Sequence, residues 1–563
     1  MSRTLPRNVD VADQLDLLAD LLEIEGEASF RVLAYRKAAT RIRETAGSVA
    51  ELALNGRAKD LQGIGKTIEE KIVQVVEDGE MHALTKRKQI VPPEVVTFMR
   101  LPGLGPKTAA RIWKELGVTT VEELKRAAEQ EQLRTLAGLG AKTEERILKA
   151  LAEQRQEPSD RRLLGDGLGA LLAVVSVLRE HPAAVEVSEA GSARRRKETF
   201  RDLDIIATAT DPAALIDYFT KLRWVVDVVA KGPTKATVLS NEGLRFDLRV
   251  VPPESYGNLL QHFTGSKDHN LALRERAVKD GLSVSEYSIT VVDTGEELRY
   301  AAEREVYERL GYEFIPPELR ENAGELQAAR KGELPKLVEL GDVKGDLHSH
   351  TTYSDGRDSL EQMALAAGQR GYAYLAVTDH PRGTLAEQND EIDALNERLK
   401  PFRLLKGIEV NIRIDGSLSL PDDVLAERDW VIASLHAAFD RNPTERVLAA
   451  MDNPHVDMIG HLTARKINIR PPADVQFERI VEKALETGTF LEINAQPNRL
   501  DLRDTHARMA GEAGVKIAVN TDAHQLSALQ HIEMGIAQAR RAWLTKAQVL
   551  NTRSWAQIAK LRG

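Results

Sequence analysis

The 563-residue sequence contains no cysteine, and aromatic residues make up only 5% of it. Without cysteine there are no disulfide bonds and no thiolate ligands, so a metal ion in this protein would be held by His, Asp and Glu. No apolar run approaches the roughly 18 residues that cross a bilayer, and the first residues lack the apolar core of a signal peptide. We therefore expect a protein of the reducing cytoplasm with no membrane partner.

Composition and charge narrow the class further. Hydrophobic residues make up 42% and charged residues 29% of the chain, which is typical of folded globular proteins, and the length predicts three or more domains. The formal net charge of −9 argues against nucleic acid as a partner unless basic residues cluster locally. Nine of the thirteen histidines follow residue 340, so the C-terminal part is the candidate metal centre.

From Val11 to about Ala150 the apolar residues recur at helical spacing, which predicts an all-α region. Within it one pattern occurs three times, as "LQGIGKTIEEKI", "LPGLGPKTAARI" and "LAGLGAKTEERI". The paired glycines permit a tight turn whose backbone amides and following helix N-terminus suit an anion. A helix connection with glycine caps is the structural alternative. The three stretches resemble helix-hairpin-helix motifs, and the DNA-binding residues predicted from them are Gly63, Gly65, Lys66, Gly103, Gly105, Lys107, Gly138, Gly140 and Lys142.

From about Val185 strand-like runs alternate with helices, which predicts an α+β segment. Asp202 and Asp204 lie two residues apart on one such run, so both carboxylates project from the same face of a strand. Asp247 lies in another run, "RFDLRVV", where a carboxylate among apolar residues needs a reason. Three carboxylates on adjacent strands can hold two divalent ions roughly 4 Å apart, although an isolated D-x-D is also common in solvated turns.

The stretch from Gly191 to Asp204 resembles the nucleotidyltransferase signature of the family X DNA polymerases. "RFDLRVVP" resembles the strand that carries the family's third carboxylate, and "HFTGSKDHNLALRERA" resembles its nucleotide-contacting segment. The resemblance implies two Mg²⁺ or Mn²⁺ ions at Asp202, Asp204 and Asp247. It also implies nucleotide contacts by Gly191, Ser192, Arg195, His262, Phe263, Gly265, Asn270 and Arg274.

Two residues depart from the family pattern. His262 stands where tyrosine is usual beside the sugar, which puts discrimination between ribose and deoxyribose in doubt. Arg201 stands where glycine is usual before the first aspartate, which puts backbone contact with the triphosphate in doubt.

The likeness extends to the N-terminal helices, where "FRVLAYRKAATRI" resembles the family's lyase domain. Lys71 falls where some members keep a Schiff-base lysine that removes deoxyribose phosphate. A lysine on the solvated side of an amphipathic helix is the alternative.

Seven strand-like runs follow in the C-terminal part, most of them separated by helical segments, and they end in polar, metal-ligand residue types. Seven βα units of this kind predict a barrel whose site lies at the C-terminal rim of the strands. Histidine and carboxylate ligands suit Zn²⁺, Mn²⁺ or Fe²⁺, and nine of them suffice for two or three ions that hydrolyse a phosphoester. The predicted ligands are His348, His350, Asp355, His380, Glu409, His436, His461, Asp522 and His524.

This pattern resembles the PHP (polymerase and histidinol phosphatase) domain, and its attachment to a polymerase core resembles the bacterial and archaeal branch of family X. The resemblance covers nearly the whole chain. It implies 3′-5′ exonuclease activity, with abasic-site endonuclease or 3′-phosphatase activity as related chemistry of the same site. "GHLTARK" departs from the proline- and glycine-containing form that is usual after the position of His461.

The expected protein is a gap-filling repair polymerase that takes dNTPs and gapped or nicked double-stranded DNA, acts as a monomer and is associated with the nucleoid. A nuclease or phosphatase whose polymerase half only binds DNA ends is the alternative from another enzyme class, and a non-catalytic scaffold for DNA ends is a second. The expected domains are an N-terminal lyase-like helical domain (1–85), a helical DNA-binding region (86–160), a nucleotidyltransferase palm (161–256), a thumb (257–325), a linker (326–343) and a distorted (β/α)7 PHP barrel (344–563).

Overall fold

The computed structural model describes residues 5–562 except 7, 45–48, 62, 102–103, 137–138, 141–142, 146, 149–160 and 382–384. The chain forms two compact units. One comprises residues 1–160 and 216–247, and the other comprises residues 161–215 and 248–563.

The first unit begins with helices whose apolar stripes pack into one core. In α1 the residues Val11, Leu15, Leu18 and Leu22 recur at helical spacing and are buried, which is the pattern of a helix with one face in a core. Residues of the six following helices join the same core. The helices are α1 (Asn8–Glu25), α2 (Ser29–Glu44), α3 (Val49–Leu54), α4 (Lys66–Asp78), α5 (His82–Lys88), α6 (Pro106–Leu116) and α7 (Val121–Glu129). Single 3₁₀ turns or short 3₁₀ helices cover Ala58–Asp60, Pro93–Arg100 and Leu133–Thr135.

Two of the glycine-containing repeats enter a helix in the same way. Gly65 caps the N-terminus of α4 and Gly105 caps that of α6, each with an extended backbone. Both glycines are exposed, and a Cβ built on either would meet no atom within 4 Å. The open space in front of these loops fits the predicted approach of a ligand to the backbone. Of the other predicted loop residues, Gly103, Gly138 and Lys142 lie outside the described part of the chain.

The first and third repeats share a buried glutamate. Glu69 accepts a hydrogen bond from the backbone N–H of Lys59 at 2.9 Å, and Glu144 accepts one from the N–H of Arg134 at 3.2 Å. Each bond spans ten residues and joins the backbone just before the repeat to the helix that follows its glycines. Four residues after the helix-capping glycine, where these glutamates stand, the second repeat has Ala109. The second repeat therefore lacks this internal link.

The middle of the chain, residues 161–331, is α+β. Its helices are α8 (Leu164–Arg179), α9 (Gly191–Arg194), α10 (Pro212–Thr220), α11 (Tyr256–Thr264), α12 (Lys267–Lys279), α13 (Glu303–Arg309) and α14 (Glu325–Lys331). Its strands are β1 (Arg162–Leu163), β2 (Ala184–Glu189), β3 (Thr199–Phe200), β4 (Leu203–Ala209), β5 (Val225–Lys231), β6 (Lys235–Ser240), β7 (Arg245–Val251), β8 (Leu282–Val284), β9 (Ile289–Val291) and β10 (Glu297–Leu298). Further 3₁₀ turns cover Pro253–Ser255 and Pro317–Leu319.

Within the first unit, β5 and β6 pair as an antiparallel hairpin. The ring of Trp224 lies 6.2 Å from that of Phe219 and 4.9 Å from that of Phe246, so an aromatic cluster supports the hairpin. Within the second unit, β2 pairs with β4, and β8 pairs with β9, which pairs with β10, all antiparallel.

The C-terminal part of the second unit is a parallel barrel of seven strands paired in sequence order. The apolar runs of the sequence supply its strands because both faces of a parallel sheet are covered. The strands are β11 (Gly345–Asp346), β12 (Tyr374–Val377), β13 (Arg403–Asn411), β14 (Trp430–Ser434), β15 (Met458–Gly460), β16 (Phe490–Asn494) and β17 (Ile517–Asn520). A parallel bridge between Ser349 and Ala523 brings the end of the first strand to the end of the last.

Helices surround the barrel, and all but the last bury apolar side chains in its largest core cluster, whereas Ile558 of the last helix joins a second cluster. They are α15 (Leu360–Gln369), α16 (Leu385–Arg398), α17 (Asp422–Ala426), α18 (Pro443–Met451), α19 (Phe477–Thr487), α20 (Asp504–Ala513), α21 (Ile532–Arg541) and α22 (Trp555–Ala559). Short 3₁₀ segments cover Leu340–Asp342, Leu526–His531 and Leu550–Thr552.

The predicted fold class is confirmed: an all-α N-terminal region, an α+β middle and a seven-stranded (β/α) barrel. The segment expected as a linker is packed, since Leu337 bridges Thr545 and Val338 is buried in the barrel core. Among the described helices, none combines the length and the apolar character that crossing a membrane requires.

Candidate active sites

The nine predicted metal ligands of the barrel lie together at the C-terminal ends of its strands. The Nε2 atom of His350 lies 3.2 Å from Asp522 Oδ1 and 3.5 Å from Glu409 Oε2. The other six predicted ligands also lie within 3.2–3.8 Å of a ligand of the opposite type, measured between an imidazole nitrogen and a carboxylate oxygen. Three trios have ligand atoms within 4.8 Å of one another: His348, His350 and Asp522; His350, Asp355 and His380; and His380, Glu409 and His436.

The buried polar atoms of this cluster fit a group of cations. Both ring nitrogens of His350, the Nε2 atom of His348 and the Oε1 atom of Glu409 are buried without a hydrogen-bond partner in the protein. Buried polar atoms are almost always bonded, so atoms of this kind point to an ion. Imidazole and carboxylate donors suit Zn²⁺, Mn²⁺ and Fe²⁺.

Burial and mutual charge set the protonation of the cluster. Burial alone would lower the pKa of His348, but Glu492, Asp522 and Glu409 outweigh it and hold the pKa well above its ordinary value. Burial alone would raise the pKa of Glu409, but His348, with His436 and His461, outweighs it and holds the pKa well below its usual range. His461 differs: burial, with Arg499, lowers its pKa to about 4, so its ring is neutral and ready to ligate.

Glu492, which was not among the predicted residues, holds two of the predicted ligands in place. Its carboxylate accepts from His348 Nδ1 at 2.8 Å and from the backbone N–H of His461 at 2.7 Å, and Asn520 donates to it at 3.0 Å. Asn494 donates to both Glu492 and Asp522. Such partners fix the orientation of a ligand ring and its tautomer. A fully buried glutamate inside the apolar run "FLEIN" was the signal available in the sequence.

Two ligand residues have left-handed backbones, with φ of +24° at His461 and +51° at Asp522. Such conformations are costly for residues other than glycine and persist where the surroundings impose them, which is typical of functional sites. Asp346 and Asp379 hold the neighbouring loops: Asp346 accepts from Thr521, and Asp379 accepts from Thr351. Burial raises the pKa of Asp346 to about 6.

A mostly apolar cavity of about 570 Å³ opens beside His436. Ile412, Ile414 and Ala437 line it, and Ile414 is 57% exposed. Arg499 lowers the pKa of His461 and of Lys466, although burial has the larger effect on both. The cluster thus has an apolar cavity beside His436 and positive charge near His461.

The candidate polymerase strand lies in the same unit as the barrel. Asp204 lies in β4 and Asp202 lies just before it, both half-buried on either side of the buried Leu203, as expected for two side chains on one face. Gly191 has φ of +63°, and a Cβ there would lie 2.1 Å from Asp204 Oδ2. Glycine is required here, and the predicted triphosphate turn therefore rests directly against a predicted metal ligand. Arg201 is exposed.

Asp247 belongs to the other unit. It lies half-buried in β7 between the buried Phe246 and Leu248, and its carboxylate accepts a hydrogen bond from Thr237. Arg245 Nε lies 3.8 Å from it.

The three consecutive arginines have three different carboxylate partners. Arg194 forms a two-pronged pair with Glu303 at 2.9 Å, Arg195 bonds Glu321 at 3.0 Å, and Arg196 bonds Glu189 at 3.2 Å. Arg195 also donates to the carbonyl of Thr264. They therefore do not form one free cationic patch, and Arg195, with Ser192, faces a cavity.

His262 is tied to the nascent-pair candidate Arg274, whose guanidinium lies 3.0 Å from its Nδ1 atom. Burial, with Arg274, lowers the pKa of His262. The ring is therefore neutral, accepts at Nδ1 and carries its proton at Nε2. It stands edge-to-face against the ring of Phe263, with centroids 5.1 Å apart.

Asn270 fixes the backbone of the same segment. It donates to the carbonyls of His262 at 2.7 Å and Gly265 at 3.3 Å, and it accepts from Gln261 at 3.0 Å. A Cβ on Gly265 would lie 2.5 Å from its Oδ1 atom, so glycine is needed there.

In the first unit the predicted DNA-contacting lysines Lys66 and Lys107 are exposed at the starts of α4 and α6. Gly63 has φ of +88° in the turn before α4. Gly140, in the third repeat, is likewise exposed. Lys71 is half-buried within α4.

Comparison with known proteins matches family models to the helical region, to the segment from His262 to Arg274 and to most of the barrel. A helix-hairpin-helix domain model matches residues 6–81, a SAM-like helix-hairpin-helix tandem model matches 96–153, a DNA polymerase beta thumb model matches 259–321 and a PHP domain model matches 346–496. Over 98% of both chains, the sequence is 40% identical to the DNA polymerase/3′-5′ exonuclease PolX of Bacillus subtilis (strain 168). The chain belongs to the family X DNA polymerases of the PolX type.

Two other relatives each match part of this family X chain. A Thermoanaerobacter protein named "Probable phosphatase" is 32% identical over 37% of the chain and 89% of its own length. DNA polymerase lambda of Rattus norvegicus is 23% identical over 56% of each chain. The predicted membership is thus confirmed, and it implies DNA binding and dependence on divalent metal ions.

Proposed function

We propose that this protein is a repair DNA polymerase that fills short gaps and that its barrel hydrolyses the 3′ ends of DNA. The observation that carries the hydrolase half is the set of buried, unpartnered ligand atoms around His350 and Glu409. The full-length likeness to a polymerase that is also named a 3′-5′ exonuclease supports both halves.

At the polymerase site, Asp202, Asp204 and Asp247 would hold two Mg²⁺ or Mn²⁺ ions. Such a pair activates the attacking 3′ hydroxyl and stabilises the leaving phosphate. Around this pair of ions, Ser192 and Arg195 would bind the triphosphate, and Phe263 and Gly265 would border the sugar. Asn270 and Arg274 would contact the nascent base pair through those of their donor and acceptor atoms that are not bonded within the protein.

In the barrel, the nine ligands would hold two or three Zn²⁺, Mn²⁺ or Fe²⁺ ions, which supply activated water and neutralise phosphate charge. Arg499 places positive charge near His461, and Lys466 places it near Asp522, where a DNA phosphate would lie. The apolar cavity beside His436 is large enough for a nucleobase. If the base of the 3′-terminal nucleotide lay there, the phosphodiester that joins this nucleotide to the strand would lie near the metal cluster.

The helical repeats would hold the DNA backbone through exposed amides and lysines, without regard to sequence. Gapped or nicked duplex DNA is the proposed substrate, with dNTPs for synthesis. We further propose that the protein acts as a monomer at the nucleoid.

One gel tests the proposal. A 5′-labelled gapped duplex is incubated with Mn²⁺ or Mg²⁺, with and without dNTPs. Extension with dNTPs and stepwise shortening without them are the expected results. A protein that shortens the strand but never extends it would leave the alternative, a nuclease whose polymerase half only binds ends.

A 3′-phosphatase activity of the same barrel is the second candidate, because the Thermoanaerobacter relative, 89% of whose length is matched, is named a probable phosphatase. Release of inorganic phosphate from a 3′-phosphorylated primer distinguishes it from release of nucleotides.

A further inference from the structure

A cavity of about 580 Å³ in the second unit lies between the predicted triphosphate turn and the barrel. Ser192, Arg195 and Lys197 line one side, and Arg503, Thr505 and Arg541 line the other. The lining contains five cationic side chains and two carboxylates, Glu198 and Asp504. A polar cavity with this excess of positive charge suits a phosphate group.

Arg541, the last residue of α21, reaches from the barrel to the turn. Its side chain is 3% exposed. One nitrogen donates to the backbone carbonyl of Arg195 at 2.9 Å and to Glu321 at 3.0 Å, and the other donates to Asp504 at 2.6 Å. A barrel residue therefore touches the polymerase turn directly.

Glu321 is shared by the two domains, since Arg195 Nε and Arg541 Nη1 both lie 3.0 Å from its Oε1 atom. Burial alone would raise the pKa of Glu321, but Arg195, Arg541 and Lys197 outweigh it and lower the pKa. The carboxylate is therefore charged near neutral pH. Its side chain is 20% exposed, and Lys197 Nζ lies 3.8 Å from the same oxygen, so Glu321 has cationic partners besides Arg195. A largely buried charge that loses a partner is destabilising, so the partners that remain are significant.

We propose that the barrel completes the nucleotide site of the polymerase, with Arg541 as a positioning residue for Arg195 and the shared cavity as the pocket for the nucleotide's phosphate tail. When Arg195 turns from Glu321 to a phosphate, Arg541 and Lys197 keep Glu321 paired, so the movement leaves this half-buried carboxylate with cationic partners. Arg541 also holds the backbone of the turn through the Arg195 carbonyl. This inference rests on the proposed polymerase function.

The adjacent Arg540 provides a matched control. It lies on the same helix and joins it to the thumb through Glu318 at 2.7 Å and to the segment after the thumb through the carbonyl of Val338 at 3.1 Å. Arg540 neither lines the cavity nor contacts Arg195. Loss of either arginine removes a contact of α21, but only loss of Arg541 removes the link to the turn.

The test uses full-length Arg541→Met, Arg541→Lys and Arg540→Met in single-nucleotide gap filling. For Arg541→Met we expect the KM for dNTP to rise about tenfold and inhibition by pyrophosphate to weaken similarly, with kcat changed much less. Lysine should restore part of the affinity, because it returns the charge without the two-pronged geometry. Arg540→Met should stay within about twofold of the wild type in both constants.

Exonuclease rate and thermal midpoint, measured on every variant, check that the barrel remains folded. If Arg541→Met is unstable, Arg541→Met with Asp504→Asn removes the cation and one of its carboxylates together and is measured instead. An unchanged KM for dNTP in the Arg541 variant that is measured, or an equal rise in KM in Arg540→Met, would overturn the inference. A wild-type protein that incorporates no dNTP would overturn the proposed polymerase function instead, so the two failures are distinct.

Discussion

The two candidate metal sites differ in their ligands. The proposed polymerase site has aspartates alone, and Asp202 and Asp204 are half-buried just before and within a strand. The barrel offers six histidines and three carboxylates, with His348, His350 and Glu409 almost completely buried. Carboxylate sites bind Mg²⁺ loosely and share it with substrate phosphates, whereas imidazole-rich sites retain transition metals. The polymerase metals would therefore arrive with each nucleotide, and the barrel metals would stay.

The largest expected effect separates the two sites. Asp247→Ala should reduce nucleotide incorporation about a thousandfold or more while exonuclease activity persists, and His348→Ala should do the reverse, because each removes a metal ligand of one reaction only. Both activities are read from the same labelled primer. Incorporation that survives loss of Asp247 would show that the polymerase assignment is wrong.

Loss of the Glu492 carboxylate, which bonds His348 and the His461 backbone, should have the next largest effect. Glu492→Gln keeps the shape of the side chain but removes the charge that His348 and the His461 backbone contact, so the barrel's metal affinity should fall about 10- to 100-fold. Metal content after dialysis measures it. Glu486→Gln, an exposed glutamate of α19, is the control. Unchanged metal content in Glu492→Gln would contradict the role given to this residue.

Metal binding to the barrel should depend on pH. In the metal-free protein the raised pKa of His348 keeps its ring protonated, and a ligand must lose its proton before it binds a metal. Metal affinity should therefore rise with pH, by about tenfold per unit for each proton released, up to the raised pKa. Titration with Mn²⁺ at pH 6, 7 and 8 measures this. Affinity that is flat or falls with pH would mean that His348 is neutral before the metal binds.

The smallest expected effect concerns DNA binding. If the helical repeats serve both sites, Lys66→Gln and Lys107→Gln should each lower the salt dependence of duplex binding by about one phosphate contact. Polymerase and exonuclease activities on duplex DNA should then weaken together. A loss confined to one activity would show that the two sites reach DNA by separate surfaces.

Much of both sites could be predicted because their residues stand at strand ends or alternate along strands. His348, Glu409 and Asp522 follow this rule. Glu492 could not be assigned, since a buried glutamate in an apolar strand gives no sign of its partners. The link from Arg541 to Arg195 spans 346 residues, and no local pattern encodes a contact of that length.

The closure of the barrel has a consequence for the order in which this chain is made. Asp522 and His524 are added to the growing chain more than 170 residues after His348 and His350. The two pairs come together across the bridge between Ser349 and Ala523. The first trio of ligands cannot assemble before then. On the proposed function, a partly synthesised chain would therefore have its helical repeats but no complete metal cluster, and hydrolytic activity would report that the last strand is in place.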